Sequence, residues 1–223
     1  MTNLQFLIGG LTRYGLVAIE SFSPLQCILF PEEIAYLEGA SFARRSEFKT
    51  VRRLAAEALA TLNIRRPIMV PSYGGAPTWP TEVIGSLTHC KGYAAAAIAY
   101  RAIVDAIGID AERNIPVTSR TFQIATNKTE QEYLDTVTSI DPTITNRLLL
   151  SAKESAFKAW FPKEHKKLLL RDIRIEIHAG GSFCAKLPIG GRTCSLHYGR
   201  WMRSADLLIT AFIVPSGEWP TRD

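Results

Sequence analysis

Asp110-Ala111-Glu112 follows a β-rich apolar run, Ala106-Ile107-Gly108-Ile109, and this stretch constrains the fold more than any other. Residues two apart on a strand point to the same side, so Asp110 and Glu112 present their carboxylates together. The apolar run before them suggests a buried strand that delivers both acids to an interior cleft. About forty residues later comes Ser151-Ala152-Lys153-Glu154-Ser155-Ala156-Phe157-Lys158-Ala159-Trp160. It reads as helix, because Ala, Lys, Glu and Phe recur without Gly or Pro. If Glu154 meets the strand pair in space, three carboxylates converge with lysines beside them. Such anions repel each other unless a cation lies between them, and an all-oxygen ligand set suits Mg²⁺. A metal held by carboxylates next to lysine is a usual grip on a diphosphate. Each piece alone has a plainer reading. Asp110 and Glu112 could be a solvated strand end, and Glu154 with Lys158 an i,i+4 surface salt bridge.

With 223 residues the chain fits one large domain or two small ones. A hydrophobic share of 47% against 21% charged residues is ordinary for a globular protein. No apolar run is long enough for a transmembrane helix. Met1 to Gly10 lacks a basic segment ahead of its apolar patch, so no secretory signal and a cytoplasmic location are expected. Cys27, Cys90, Cys184 and Cys194 are scattered, which argues against both a zinc knuckle and a disulfide framework. A net charge of +5 favours polyanionic partners in general.

The apolar periodicity predicts a strand within 11–20, a helix starting at Pro31-Glu32-Glu33, and a long helix over about 41–62. In the long helix Phe48, Val51, Ala55, Leu59 and Leu62 form the buried stripe, with Arg44, Arg45, Arg52 and Arg53 off it. Pro67 to Pro80 reads as a loop. Apolar runs at about 83–88, 93–100 and 106–111 are expected to form one antiparallel sheet. Helices are predicted near 128–139 and 143–161, the latter ended by Pro162. Strands are predicted at 170–178, 182–187, 193–202 and 206–214, with turns at Gly180-Gly181 and Gly190-Gly191.

Gly108-Ile109-Asp110-Ala111-Glu112 and Ser151 to Ala159 resemble the two signature motifs of the 4′-phosphopantetheinyl transferases. The nearest type is the monomeric group serving siderophore, polyketide and non-ribosomal peptide synthesis. Three other stretches agree in the family's order: Arg44 to Arg52, Pro77-Thr78-Trp79-Pro80, and Gly85-Ser86-Leu87-Thr88-His89-Cys90. The resemblance implies an α+β fold of two similar subdomains, each an antiparallel sheet packed with helices, forming a pseudo-dimer. We set the subdomains at residues 1–105 and 106–223, with the site at their junction.

The resemblance also implies roles. Asp110, Glu112 and Glu154 would hold Mg²⁺. Glu154, or a water it orients, would be the general base, and Lys158 would assist catalysis. Coenzyme A, the substrate, would be bound by Arg44, Arg52, Lys153, Lys158 and Asp110. His89 would contact its 3′-phosphate, with Ser86 and Thr88 donating hydrogen bonds nearby. Close relatives carry lysines in the loop before the Trp-Pro element, whereas this chain has Pro71-Ser72-Tyr73-Gly74-Gly75-Ala76. Here Tyr73 could stack on adenine and the Gly74-Gly75 amides could approach a phosphate. Lys91 or Arg113 could restore the lost charge. Lys163, Lys166, Lys167 and Arg171 could form a docking patch for an acidic apo carrier protein.

Two rival classes remain at this level. A metal-dependent nucleotidyl or phosphoryl transferase could use the same carboxylates, although no Gly-x-x-x-x-Gly-Lys loop supports an ATPase. A non-catalytic basic module could bind coenzyme A or nucleic acid, although no stripe of aromatics interleaved with Lys and Arg is present. The expectation is therefore a monomeric transferase without nucleic-acid or membrane partners.

Overall fold

The computed structural model describes residues 3–8, 15–72, 75–137, 140–189 and 192–217. A short helix α1 (Asn3–Ile8) precedes strand β1 (Val17–Ser21), then helices α2 (Pro31–Tyr36) and α3 (Phe42–Thr61). Strands β2 (Val83–Cys90), β3 (Tyr93–Tyr100) and β4 (Val104–Arg113) follow. Next come helices α4 (Ser119–Ala125), α5 (Lys128–Thr136) and α6 (Pro142–Glu164), and strands β5 (Arg174–His178), β6 (Ser182–Ile189), β7 (Arg192–Ser204) and β8 (Leu207–Pro215). The strands make two antiparallel sheets, β1-β3-β2 and β4-β8-β7-β6-β5. With helices packed on both, the architecture is α+β, as expected.

Strand β3 shows how the layers stack. Its sequence, Tyr93-Ala94-Ala95-Ala96-Ala97-Ile98-Ala99-Tyr100, is buried on both faces. Side chains alternate along a strand. Ala94, Ala96 and Ile98 pack under α3 against Val51, Leu54, Ala58 and Leu59. Ala95, Ala97 and Ala99 join a second core with Ile107, Ile109, Ala111, Ile209 and Ala211 from β4 and β8. Alanine on both faces lets the helix and the second sheet approach the first sheet closely.

Strand β4 alternates likewise. Ile107, Ile109 and Ala111 face the first sheet, while Ala106 belongs to the core under α6 with Leu148, Leu149, Ala152 and Ala156. Asp110, in register with Ala106 and Gly108, therefore faces α6. A Cβ on Gly108 would fall 1.8 Å from the Ser155 carbonyl oxygen and 2.7 Å from the Ala159 nitrogen. Only glycine allows α6 to lie on the strand at this separation.

Several expectations are corrected. The runs 83–88, 93–100 and 106–111 do not share a sheet: β4 pairs with β8 in the five-stranded sheet. Backbone bonds between β2 and β4 are replaced by side-chain ones, with Ser86 Oγ accepting from Ile109 N (3.1 Å) and Thr88 Oγ1 from Ala111 N (3.0 Å). Pro162 lies inside the last turn of α6 and does not end it; proline removes one helical hydrogen bond but need not stop a final turn. Residues Leu170–Asp172 form a 3-10 turn where a strand was expected, and α1 and α4 were not anticipated. Gly190-Gly191 lies outside the described residues. No described helix is long and apolar enough to cross a membrane. Cys27, Cys90 and Cys184 are free thiols, of which only Cys184 is buried.

Candidate active site

Asp110 is buried at the meeting of β4, β2 and α6. Its Oδ1 accepts from Lys158 Nζ at 2.7 Å and from Thr88 Oγ1 at 3.3 Å, and its Oδ2 from Ser151 Oγ at 2.9 Å. Lys158 Nζ also donates to the Ile109 carbonyl at 3.2 Å. Ser151 is in turn braced by Thr210, whose hydroxyl donates to the Ser151 carbonyl at 2.9 Å. Charge-assisted bonds of this kind fix the carboxylate's orientation.

Glu154 precedes Lys158 by one helical turn, so both line the same face of α6. Burial raises the Glu154 pKa, the neighbouring Asp110 charge adds to the rise, Lys158 opposes it, and Glu112 raises it further. Glu112 is raised by burial and then by Asp110, against Arg147 and Lys158. Arg147 Nη1 lies 3.3 Å from Glu112 Oε2. The three acids thus sense one another where β4 meets α6.

Among the described residues, no three acidic, His or Cys side chains are close enough to cage a metal as they stand. The donor chemistry nevertheless fits a hard divalent cation. All three are oxygen ligands, and burial first, then the neighbouring Asp110 charge, holds Glu112 and Glu154 above their ordinary pKa.

A cavity of about 500 Å³ opens between the two sheets' helices, lined by Arg44, Arg52, His89, Glu154, Phe157 and Lys158 among others. Arg44 Nη1 lies 3.2 Å from His89 Nε2. Because arginine can only donate, that ring nitrogen accepts, which assigns the proton to Nδ1. Burial lowers the His89 pKa, Glu47 opposes this, Arg44 and Lys158 lower it further, and Asp110 opposes.

The structure corrects other sequence-derived roles. Lys153 was expected on the coenzyme, yet it is 0% exposed. Its Nζ reaches Glu130 at 2.6 Å and the carbonyls of Leu170 and Ile173 at 2.9 and 2.6 Å. Adjacent helical residues are turned by about 100°, so Lys153 faces β5 when Glu154 faces the cavity. Thr88 spends its hydroxyl in full, accepting from Ala111 N and donating to Asp110, so it braces β4 rather than standing free for coenzyme A. Ser86 accepts from Ile109 N but keeps its hydroxyl proton and lines the cavity. Arg52 was placed off the buried stripe, but it is buried. Its guanidinium bonds the Met69 carbonyl and lies 4.0 Å over the Phe48 ring, while still lining the cavity. Gly75, with φ +82°, lines the cavity too; Tyr73 and Gly74 lie outside the described residues.

Neither Lys91 nor Arg113 is among the cavity's lining residues, and Arg113 is paired with Asp206 at 2.6 Å. In the anticipated docking patch, Lys163 pairs with Asp105 and Lys166 with Glu164. Ser151, Thr210 and Arg147 were missed as site residues. For Arg147 a signal existed, since it lies two turns before Glu154 on one helical face.

Comparison with known proteins supplies the family. Residues 32–99 match the family model of the 4′-phosphopantetheinyl transferase N-terminal domain, and residues 106–211 that of the 4′-phosphopantetheinyl transferase superfamily. The chain is 38% identical to the 4′-phosphopantetheinyl transferase Svp of Streptomyces mobaraensis, over 85% of this chain and 81% of Svp. It is 31% identical to the 4′-phosphopantetheinyl transferase PptT of Mycobacterium tuberculosis, over 82% and 85% of the two chains. It is also 36% identical to enterobactin synthase component D of Escherichia coli, over 60% and 63%. Matched in both halves by the family's models and along most of its length by named relatives, the chain belongs to the 4′-phosphopantetheinyl transferase superfamily.

Proposed function

We propose that this 4′-phosphopantetheinyl transferase, an enzyme acting on carrier proteins with coenzyme A, performs its chemistry on the face shared by Asp110, Glu154 and Lys158. The observation that carries this placement is the 2.7 Å bond from Lys158 to Asp110, with Glu154 one turn away in a cavity that also holds Arg44, Arg52 and His89. Arg44, Arg52 and Lys158 grip phosphate oxygens, and neutral His89 orients Arg44 and meets the 3′-phosphate. Glu154 takes the proton from the carrier's serine hydroxyl. The serine oxygen forms a bond to the β-phosphorus, the bond from that phosphorus to the bridging oxygen breaks, and 3′,5′-ADP leaves. Asp110, Glu112 and Glu154 would hold Mg²⁺, which when bound neutralises charge on the diphosphate. No enzyme nucleophile is required, so transfer is direct. The reading as a non-catalytic basic module is not favoured.

We further take residues 1–105 and 106–223 as the two units, the protein as a cytoplasmic monomer, and its carriers as those of siderophore, polyketide or non-ribosomal peptide assembly. The test is to mix the protein with coenzyme A, Mg²⁺ and an apo carrier protein and to weigh the carrier. A gain of one phosphopantetheine is expected. No gain across carriers of several types would overturn the assignment.

A further inference from the structure

Glu33, on the short helix α2, is completely buried and takes no direct part in the proposed chemistry. Its carboxylate nevertheless accepts four hydrogen bonds. Oε1 accepts from Met69 N at 3.0 Å and Oε2 from Phe30 N at 3.0 Å, and both oxygens take bonds from Arg66. Arg52 Nε lies 3.9 Å away. The Met69 peptide is shared. Its N–H donates to Glu33, while its carbonyl accepts from Arg52 Nε at 3.0 Å and Nη2 at 2.6 Å. The Phe48 ring closes the other side of the same guanidinium. Among the described residues no partner of Arg52 Nη1 is found, and Arg52 lines the cavity.

We infer that Glu33 is a positioning residue for the phosphate end of the coenzyme site, acting through the Met69 peptide on Arg52. The physical reason is geometric. Residues 64–71 form an irregular segment with no ladder of its own. One peptide of that segment decides where the guanidinium points, and Glu33 with Arg66 fixes that peptide. A buried arginine aimed by a backbone carbonyl needs its counter-charge nearby, since a lone buried cation is costly. Glu33 supplies both the counter-charge and the anchor. The ligand it prepares for is a phosphate monoester or diphosphate of coenzyme A, so this inference rests on the function proposed above.

The test is a double-mutant comparison read by calorimetric binding of coenzyme A without divalent metal. Glu33→Gln should weaken binding about tenfold, the scale of one charge-assisted hydrogen bond. It should raise KM for coenzyme A far more than it lowers kcat. In an Arg52→Met background, Glu33→Gln should change binding by less than about twofold, because coupled residues are not additive. If Glu33→Gln does not fold, Glu33→Asp, which withdraws the carboxylate by one methylene, takes its place in both backgrounds. Equal weakening with and without Arg52, or no weakening at all, would overturn the inference while leaving the transfer reaction intact. Failure of the wild-type protein to bind coenzyme A would overturn the functional reading and this inference together.

Discussion

Gly108 and Ser155 touch backbone to backbone: any side-chain carbon on the strand residue would sit 1.8 Å from the helix carbonyl. This approach sets the depth at which α6 seats on β4, and so the reach of Lys158 to Asp110. Gly108→Ala should therefore lift the helix, costing about 1–3 kcal/mol by the usual penalty for overpacking. Thermal unfolding and carrier modification should fall together. An alanine variant with unchanged stability would show that the helix can shift at no cost.

Asp110→Ala should cut transfer by at least about a hundredfold, the scale seen when one preorganised charged partner is lost from a reacting site. The fold should survive, because Lys158 is 30% exposed and can be rehydrated. Circular dichroism and the mass of the carrier check the two halves of the statement. Retained transfer would place the chemistry elsewhere.

Lys153 and Lys158 should behave as opposites despite sharing a helix and a motif. Lys153→Met leaves Glu130 buried without its cation, a loss on the order of 3–5 kcal/mol. Adding Glu130→Leu should restore much of the stability, since a buried ion pair can be replaced by apolar side chains of similar size. Lys158→Met, whose partner Asp110 keeps its bonds from Thr88 and Ser151, should cost less stability than Lys153→Met yet impair transfer far more. Urea titrations of the three variants alongside the transfer assay decide it.

Acid stability should depend on Glu33. Burial alone would raise its carboxyl, but the bonds from Arg66, Phe30 N and Met69 N outweigh that and hold it below the ordinary glutamate value. A depressed carboxylate adds stability that is fully present above the unfolded pKa and disappears as pH falls through the folded one. Wild type should therefore lose stability more steeply than Glu33→Gln as pH falls through and below the ordinary glutamate range. Melting curves at several pH values test this, and parallel acid limbs for the two proteins would contradict it.

Much of the site was legible in the chain. Alternation placed Asp110 and Glu112 on one side of β4, and helical spacing placed Glu154 and Lys158 on one face of α6, because both relations are local and periodic. The long helix over Phe42–Thr61 and the hairpin β2–β3 were legible for the same reason. What local order cannot encode is which element meets which. Strand β4 left the sheet suggested by its neighbours in sequence to pair with β8, nearly a hundred residues on, because its Ile and Ala face could be buried against the first sheet while its Asp110 face met α6. That assembly turned Lys153 inward to Glu130, bonded Ser86 and Thr88 to the β4 amides, and drew Arg52 and Glu33 onto one peptide. These partners lie far apart along the chain, and only packing in three dimensions brings a buried charge to the one group able to satisfy it.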